Sequence, residues 1–218
     1  MYEQLLISLG CSVVLLPEEP ELPDAVFVED TAVVLREFAI IARPGAPSRR
    51  PETASIAASL ARYRRLVEIE EPGTIDGGDV LVAGKTLFIG ETGRSNSHGI
   101  DQIAGMVHPL GYVVQTVSVN GCLHLKSAVT LCGPDLLLVN PAWVDPMRFG
   151  ARSIVEVDPA EPHAANALLL NGGIIYPAAF PRTQERLRAR GVLVHEVDLS
   201  ELAKAEGAVT CCSLIVET

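Results

Sequence analysis

Cys211 closes the run Gly207-Ala208-Val209-Thr210-Cys211 and stands at the mouth of a β-rich segment, after a glycine-containing loop. A thiol in such a place becomes a nucleophile once its proton is removed, while a buried strand cysteine is the competing reading. Cys212 alternates to the other face of the same segment and is expected to be structural. A sulfur nucleophile needs a proton shuttle that titrates near neutral pH, and His124, in Leu123-His124-Leu125-Lys126, is the candidate. The remaining histidines, His98, His108, His163 and His195, fall in helical or solvated settings and carry no assigned role. Carboxylates form a third set: Asp24, Glu29, Asp30, Asp76 and Asp79. Asp76-Gly77-Gly78-Asp79 places two acids around two glycines, where the backbone can come close to a ligand. Glu29-Asp30 lies between two apolar runs. Acids in apolar surroundings require a cation, and a planar guanidinium has donors for several at once. Turn chemistry for Asp76 and a solvated strand end for Glu29 are the alternatives. Arg49, beside Arg50, and Arg94, in Gly90-Glu91-Thr92-Gly93-Arg94, are able to clamp a carboxylate bidentately. Acids and arginines together point to a zwitterionic substrate with a cationic tail and an α-carboxylate.

These residues recur with a pattern that must position them. A polar cluster precedes a β-rich run, a tight turn and a returning β-rich run. The first copy has Glu29-Asp30 before Thr31 to Leu35 and Phe38 to Ala42. The next has Asp79 before Val80 to Val82, with Gly84-Lys85 as the turn and Leu87 to Gly90 as the return. His124 to Lys126 precede Ala128 to Cys132 and Leu136 to Val139, and Asn166 precedes Ala167 to Leu170 and Ile174 to Pro177. Cys211-Cys212 precede Ser213 to Val216. Anchored at Asp30, Asp79, Lys126, Asn166 and Cys211, the copies are spaced 49, 47, 40 and 45 residues apart. Such a period marks a repeated supersecondary unit. Helical patterns span Glu52 to Arg65, Ser97 to Leu110 and Pro181 to Arg190, and strands at Leu66 to Ile69, Tyr112 to Val117 and Leu193 to Val197 follow them. The expected fold class is α/β, a five-bladed propeller of ββαβ units; an ordinary mixed sheet is the alternative. Tyr2 to Leu9 reads as an amphipathic helix ended by Gly10 and followed by a strand at Ser12 to Leu16, rather than as a leader.

The 218 residues suit a single domain, and residues 1–218 are read as one catalytic domain. A hydrophobic fraction of 48% with 20% charged residues is that of a globular chain. The net charge of −10 repels phosphate backbones and anionic lipid, so no nucleic acid and no membrane are expected as partners. A cationic small molecule is attracted instead. Cys11, Cys122, Cys132, Cys211 and Cys212 are odd in number and contain no C-x-x-C pair, which suits thiols in a reducing, cytoplasmic setting. No pair of cysteines or histidines has zinc-ligand spacing, so neither a metal nor another cofactor is expected.

The segments Asp24 to Asp30, Arg43 to Arg50, Pro72 to Leu81, Phe88 to Asn96, Leu123 to Val129, Tyr176 to Thr183 and Gly207 to Leu214 resemble the dimethylarginine dimethylaminohydrolase family, in order and at compatible spacing. The resemblance implies a five-bladed α/β propeller that hydrolyses Nω-methylated arginine to citrulline and an alkylamine without a metal. By matching position it implies Cys211 as the nucleophile, through a covalent thiouronium, and His124 as acid and then base. It implies Asp76, Glu29 and Asp30 as guanidinium partners, with Asp24 in support, and Arg49 and Arg94 as the α-carboxylate clamp. Lys126 stands where the related deiminases carry an aspartate two residues after the histidine, which favours a methylated guanidine over free arginine. The resemblance begins inside the family's first helix, so its first strand and substrate-covering loop have no counterpart here. The blade at Ser213 to Val216 is then expected to be incomplete, with its edge covered by a second copy in a homodimer or the site left more open than usual. The competing functions are an arginine deiminase-like or other amidinohydrolase activity and a non-catalytic guanidine-binding scaffold.

Overall fold

A computed structural model describes residues 1–217. Contacts group the chain into two compact units, each described by itself: Met1–Leu15, Asn120–Cys122 and Lys126–Thr210 form one, and Leu16–Val119, Leu123–Leu125 and residues 211–217 the other.

The second unit holds two three-stranded sheets. In one, β1 (Ala32–Val34) pairs antiparallel with β2 (Ala39–Ile41), and β2 pairs parallel with β3 (Leu66–Glu68). In the other, β4 (Val80–Ala83) and β5 (Thr86–Glu91) form a hairpin, and β5 pairs parallel with β6 (Val113–Ser118). The parallel partner must be reached by a crossover, which the helices α2 (Thr53–Leu60) and α3 (Ser97–Val107) supply. Asn96 starts α3 by accepting the Gly99 N–H on its side-chain oxygen, a normal N-cap. Ile75, Leu87, Ile89, Ile103 and Val107 are buried in one core between these elements, and helical spacing in α3 places Ile100, Ile103 and Val107 on its inner face. β2 and β5 lie in the middle of their sheets and are apolar on both faces, which is why Ala39-Ile40-Ile41 and Leu87-Phe88-Ile89 read as continuous apolar runs.

The first unit repeats the plan. β7 (Val129–Gly133) pairs antiparallel with β8 (Leu136–Val139), and β8 pairs parallel with β9 (Ser153–Glu156). β10 (Leu168–Leu170), β11 (Gly173–Pro177) and β12 (Val194–Val197) do the same, with α5 (Pro181–Ala189) in the crossover. Asn171 and Gly172 at the β10–β11 turn both have positive φ, the backbone that an Asn-Gly pair tolerates best. α1 (Tyr2–Ser8) and α6 (Ser200–Ala203) complete this unit, and α4 (Leu125–Ala128) is a single helical turn ahead of β7. The Asn166 amide donates to the Lys126 carbonyl and the Thr210 hydroxyl and accepts the Thr210 N–H, so this anchor of the repeat is a structural one.

Three expected elements differ. Ser12 to Leu16 and Ser213 to Val216 run without a ladder among the described residues. Their β-branched and apolar residues favour strand only where a neighbouring backbone is there to pair with. Leu214 and Val216 pack instead against the cluster of Ala32, Ala39, Ile41, Ile56 and Leu60. The helix expected over Glu52 to Arg65 is shorter: a 3-10 helix over Pro47–Glu52, with Pro51 inside it, leads into α2, which stops at Leu60. β9, a four-residue strand, was not foreseen.

Candidate active site

The expected site residues other than exposed Asp24 gather around two tight segments of the second unit. A 3-10 turn over Val28–Thr31 carries Glu29 and Asp30, both buried. A second, over Gly77–Asp79, follows Asp76, and both of its acids are fully enclosed. The two turns touch. A Cβ on Gly77 would lie 2.0 Å from the Glu29 carbonyl oxygen, and one on Gly78 would lie 2.6 Å from Asp30 Oδ1 and 3.0 Å from the His124 ring. The glycines are therefore demanded by protein packed against protein. The Gly78 N–H donates to Asp30 Oδ1 at 3.1 Å, which fixes one turn to the other.

His124 is buried against these acids. Its Nε2 lies 3.0 Å from Asp76 Oδ2, and its Nδ1 lies 3.8 Å from Asp30 Oδ1. Burial opposes a charge on the ring. The hydrogen bond with Asp76 and the charges of Asp30, Asp79 and Asp76 outweigh burial and raise the imidazole to about 9, so it is protonated at neutral pH. Asp76 also accepts the Gly45 N–H at 2.9 Å. Cys211 is half-buried, and its carbonyl accepts the Glu29 N–H at 3.0 Å, which ties the cysteine to the acidic turn. Burial, and then the Glu29 charge, push the neighbouring Cys212 thiol up to about 11, which disfavours its thiolate at neutral pH.

The two arginines differ. Arg94 is partly exposed, with Nη1 enclosed 3.8 Å from Asp76 Oδ2 and without a hydrogen-bond partner among the described residues. Arg49 is buried and committed to protein. It pairs with Asp30 at 2.6 Å and Glu52 at 2.8 Å, and donates to the carbonyls of Asp24 and Phe27. Burial opposes its charge, but Glu52 and Asp30 more than compensate. Asp24 is exposed and meets the cluster through that carbonyl. Glu52 was not among the expected residues. The spacing Arg49-x-x-Glu52, one helical turn, is the signal that would have found it. Asp79 accepts the hydroxyls of Thr92 and Ser95 and the Leu125 N–H, so both of its oxygens are engaged by protein.

Among the described residues of this unit, Glu29, Asp30, Glu52, Asp76 and Asp79 are buried acids, whereas Arg49 and His124 are the buried cations. Burial raises the carboxyls of Glu52 and Asp79, because a charged carboxylate loses its hydration there. Such a cluster can accept one more cation. Asp30, Asp76 and His124 offer ligand atoms all within 4.8 Å of one another, the spacing of a metal site. A metal there would have to displace the proton that His124 holds against Asp76. A guanidinium needs only the carboxylates.

No protein-family model matches the chain. N(G),N(G)-dimethylarginine dimethylaminohydrolase of Pseudomonas aeruginosa is 36% identical over 215 residues, which cover 98% of this chain and 85% of that protein. The chain belongs to the dimethylarginine dimethylaminohydrolase family. The protein of the same name from Streptomyces coelicolor is 41% identical over 194 residues, or 88% of this chain and 74% of that one. Among solved structures, a cysteine-to-serine mutant of the Pseudomonas aeruginosa enzyme complexed with citrulline superposes with a TM-score of 0.92 and 35% identity, over 97% of this chain and 84% of that one. The expected α/β propeller is thus the fold of this family member. Four blades are the three-stranded sheets, and the fifth repeat, at Ser213 to Val216, is incomplete among the described residues.

Proposed function

We propose that the chain hydrolyses Nω-methylated arginine, with dimethylarginine as the substrate, to citrulline and dimethylamine. The observation that carries this reading is the excess of buried carboxylates around a protonated imidazole, in the unit that also holds Cys211. A substrate guanidinium offsets part of that negative excess. Asp76, Asp30 and Glu29 receive its N–H donors, and Asp24 supports the rim. Arg94, with its enclosed Nη1, takes the α-carboxylate. Arg49 acts beside it by holding Asp30 against Glu52.

In the reaction so read, the bound cation favours the Cys211 thiolate over the thiol. Sulfur forms a bond to the guanidinium carbon. His124 gives its proton to the dimethyl-bearing nitrogen, the C–N bond breaks, and dimethylamine leaves a covalent thiouronium. Neutral His124 then takes a proton from water, and hydroxide adds to the same carbon. The C–S bond breaks, citrulline forms with loss of a proton to solvent, and the thiolate and the imidazolium are restored. In this reading the gain is one of orientation and electrostatics.

The same reading treats residues 1–218 as one catalytic domain in the cytoplasm. Thiols at Cys11, Cys132 and Cys212 outside any disulfide support that compartment. It also includes a homodimer in which a second copy pairs with the segment Ser213 to Val216. No helix among the described residues is long and apolar enough to cross a membrane. The test is a product assay with dimethylarginine and with arginine, on the wild type and Cys211→Ser. Citrulline and dimethylamine in equal amounts from the wild type, and neither from Cys211→Ser, are expected. Ammonia from arginine with dimethylarginine inert would replace this reading with a deiminase.

A further inference from the structure

We propose that Asp79 is a positioning residue, which holds Asp76, His124 and Arg94 in register while touching no substrate itself; this rests on the reaction read above. Asp79 is fully enclosed, and each of its oxygens is used. Oδ1 accepts the backbone N–H of Leu125 at 2.9 Å, the residue next to His124. Oδ2 accepts the hydroxyls of Thr92 and Ser95, both at 2.7 Å. The Ser95 hydroxyl that donates to Asp79 accepts the Asp76 N–H at 3.0 Å. One hydroxyl therefore links the two acids of Asp76-Gly77-Gly78-Asp79 across the turn. The Thr92 hydroxyl accepts the Arg94 N–H at 3.0 Å and the Ser95 N–H at 3.2 Å, so the turn that carries Arg94 is wrapped around the same carboxylate.

Two separate segments, Thr92 to Ser95 and the one at Leu125, thus donate to one buried carboxylate, and its own turn is tied back through Ser95; each of the three carries a residue of the site. Gly90 makes room for it: a Cβ there would lie 3.0 Å from Asp79 Oδ1 and 3.0 Å from the Leu125 Cβ. The arrangement goes beyond filling a core. An apolar residue of similar size would occupy the volume but leave two hydroxyls and a backbone N–H without their acceptor. The Asp79 charge also contributes to keeping His124 protonated.

The test uses Asp79→Asn and Ser95→Ala in the full chain, with folding checked by circular dichroism. Two readouts are taken: the titration midpoint of the His124 ring by NMR in the free protein, and kcat and KM for dimethylarginine. Asp79→Asn is expected to lower the His124 midpoint and to reduce kcat by about 100-fold, the size of effect that a displaced catalytic group produces, with KM changed less. Ser95→Ala is expected to shift both in the same direction by less. It removes no charge, so a lowered midpoint there reports a displaced Asp76 and not a lost charge. A folded Asp79→Asn with the wild-type midpoint and kcat overturns the proposal. If Asp79→Asn does not fold, Ser95→Ala decides: an unchanged midpoint overturns it. The midpoints need no substrate. A wild type inert toward dimethylarginine would sink the proposed reaction while leaving the role of Asp79 to be decided by NMR.

Discussion

His124 is the residue whose state the surrounding charges decide. Its ring is raised from 6.5 to about 9, against burial, by Asp76 and the charges of Asp30 and Asp79. A group whose folded value lies above its unfolded value stabilises the fold fully below the unfolded value, and that stabilisation is lost as pH rises through the folded one. The stability due to His124 is thus complete below about 6.5 and disappears through about pH 9. In the proposed reaction the same proton is given to the leaving amine, so kcat/KM is expected to fall as pH rises through about 9. In Asp76→Asn that alkaline limb should move to lower pH, because the leading cause of the raised value is gone. A limb unmoved in the variant would show that Asp76 does not hold the proton. The residue types here were legible in the sequence: a cysteine, a histidine, acids around glycines, two arginines. Their pairings were less so. Arg49 meets Glu52 and Asp30 in a buried network, which depends on where the Pro47–Glu52 turn folds back rather than on residue type.

At the level of elements, the site depends on two turns packed more closely than any side chain allows. Gly77→Ala would put a Cβ 2.0 Å from the Glu29 carbonyl oxygen and 2.7 Å from that of Ala32, both backbone atoms without room to yield. Overpacking of this kind costs about 1–3 kcal/mol, or a melting temperature lower by roughly 2–4 °C per kcal/mol in a chain of this length. It should also lower kcat, because the turn that moves carries Asp76. Gly105→Ala in α3 is the control. Nothing lies within 4 Å of the added Cβ, and alanine is the better helix former. Equal melting of Gly77→Ala and the wild type would refute the packing argument. Hairpins were readable because their turns carry chemistry of their own, as at Gly84 and at Asn171-Gly172, all with positive φ. Ser12 to Leu16 and Ser213 to Val216 have strand-like composition, yet pairing is a property of two segments and composition describes one. Ser153–Glu156 is the converse: a short, half-exposed run that becomes strand because β8 offers an edge.

For the molecule as a whole, the repeat of the sequence is the repeat of the fold. The steps between Asp30, Asp79, Lys126 and Asn166 mark the starts of four three-stranded sheets with one topology, an antiparallel hairpin followed by a parallel third strand. Period and turn chemistry made that plan legible before any coordinates. The net charge of −10 suits a cationic substrate for the same reason that the buried acids do. The proposed reaction turns on one bond, between Cys211 sulfur and a guanidinium carbon. Acid-quenched intact-protein mass spectrometry during turnover of dimethylarginine, followed by peptide mapping, tests it most directly. The account predicts an adduct of the substrate less dimethylamine, confined to the peptide that contains Cys211 and absent from Cys211→Ser. Citrulline formed by Cys211→Ser, or an adduct on another residue, would contradict it.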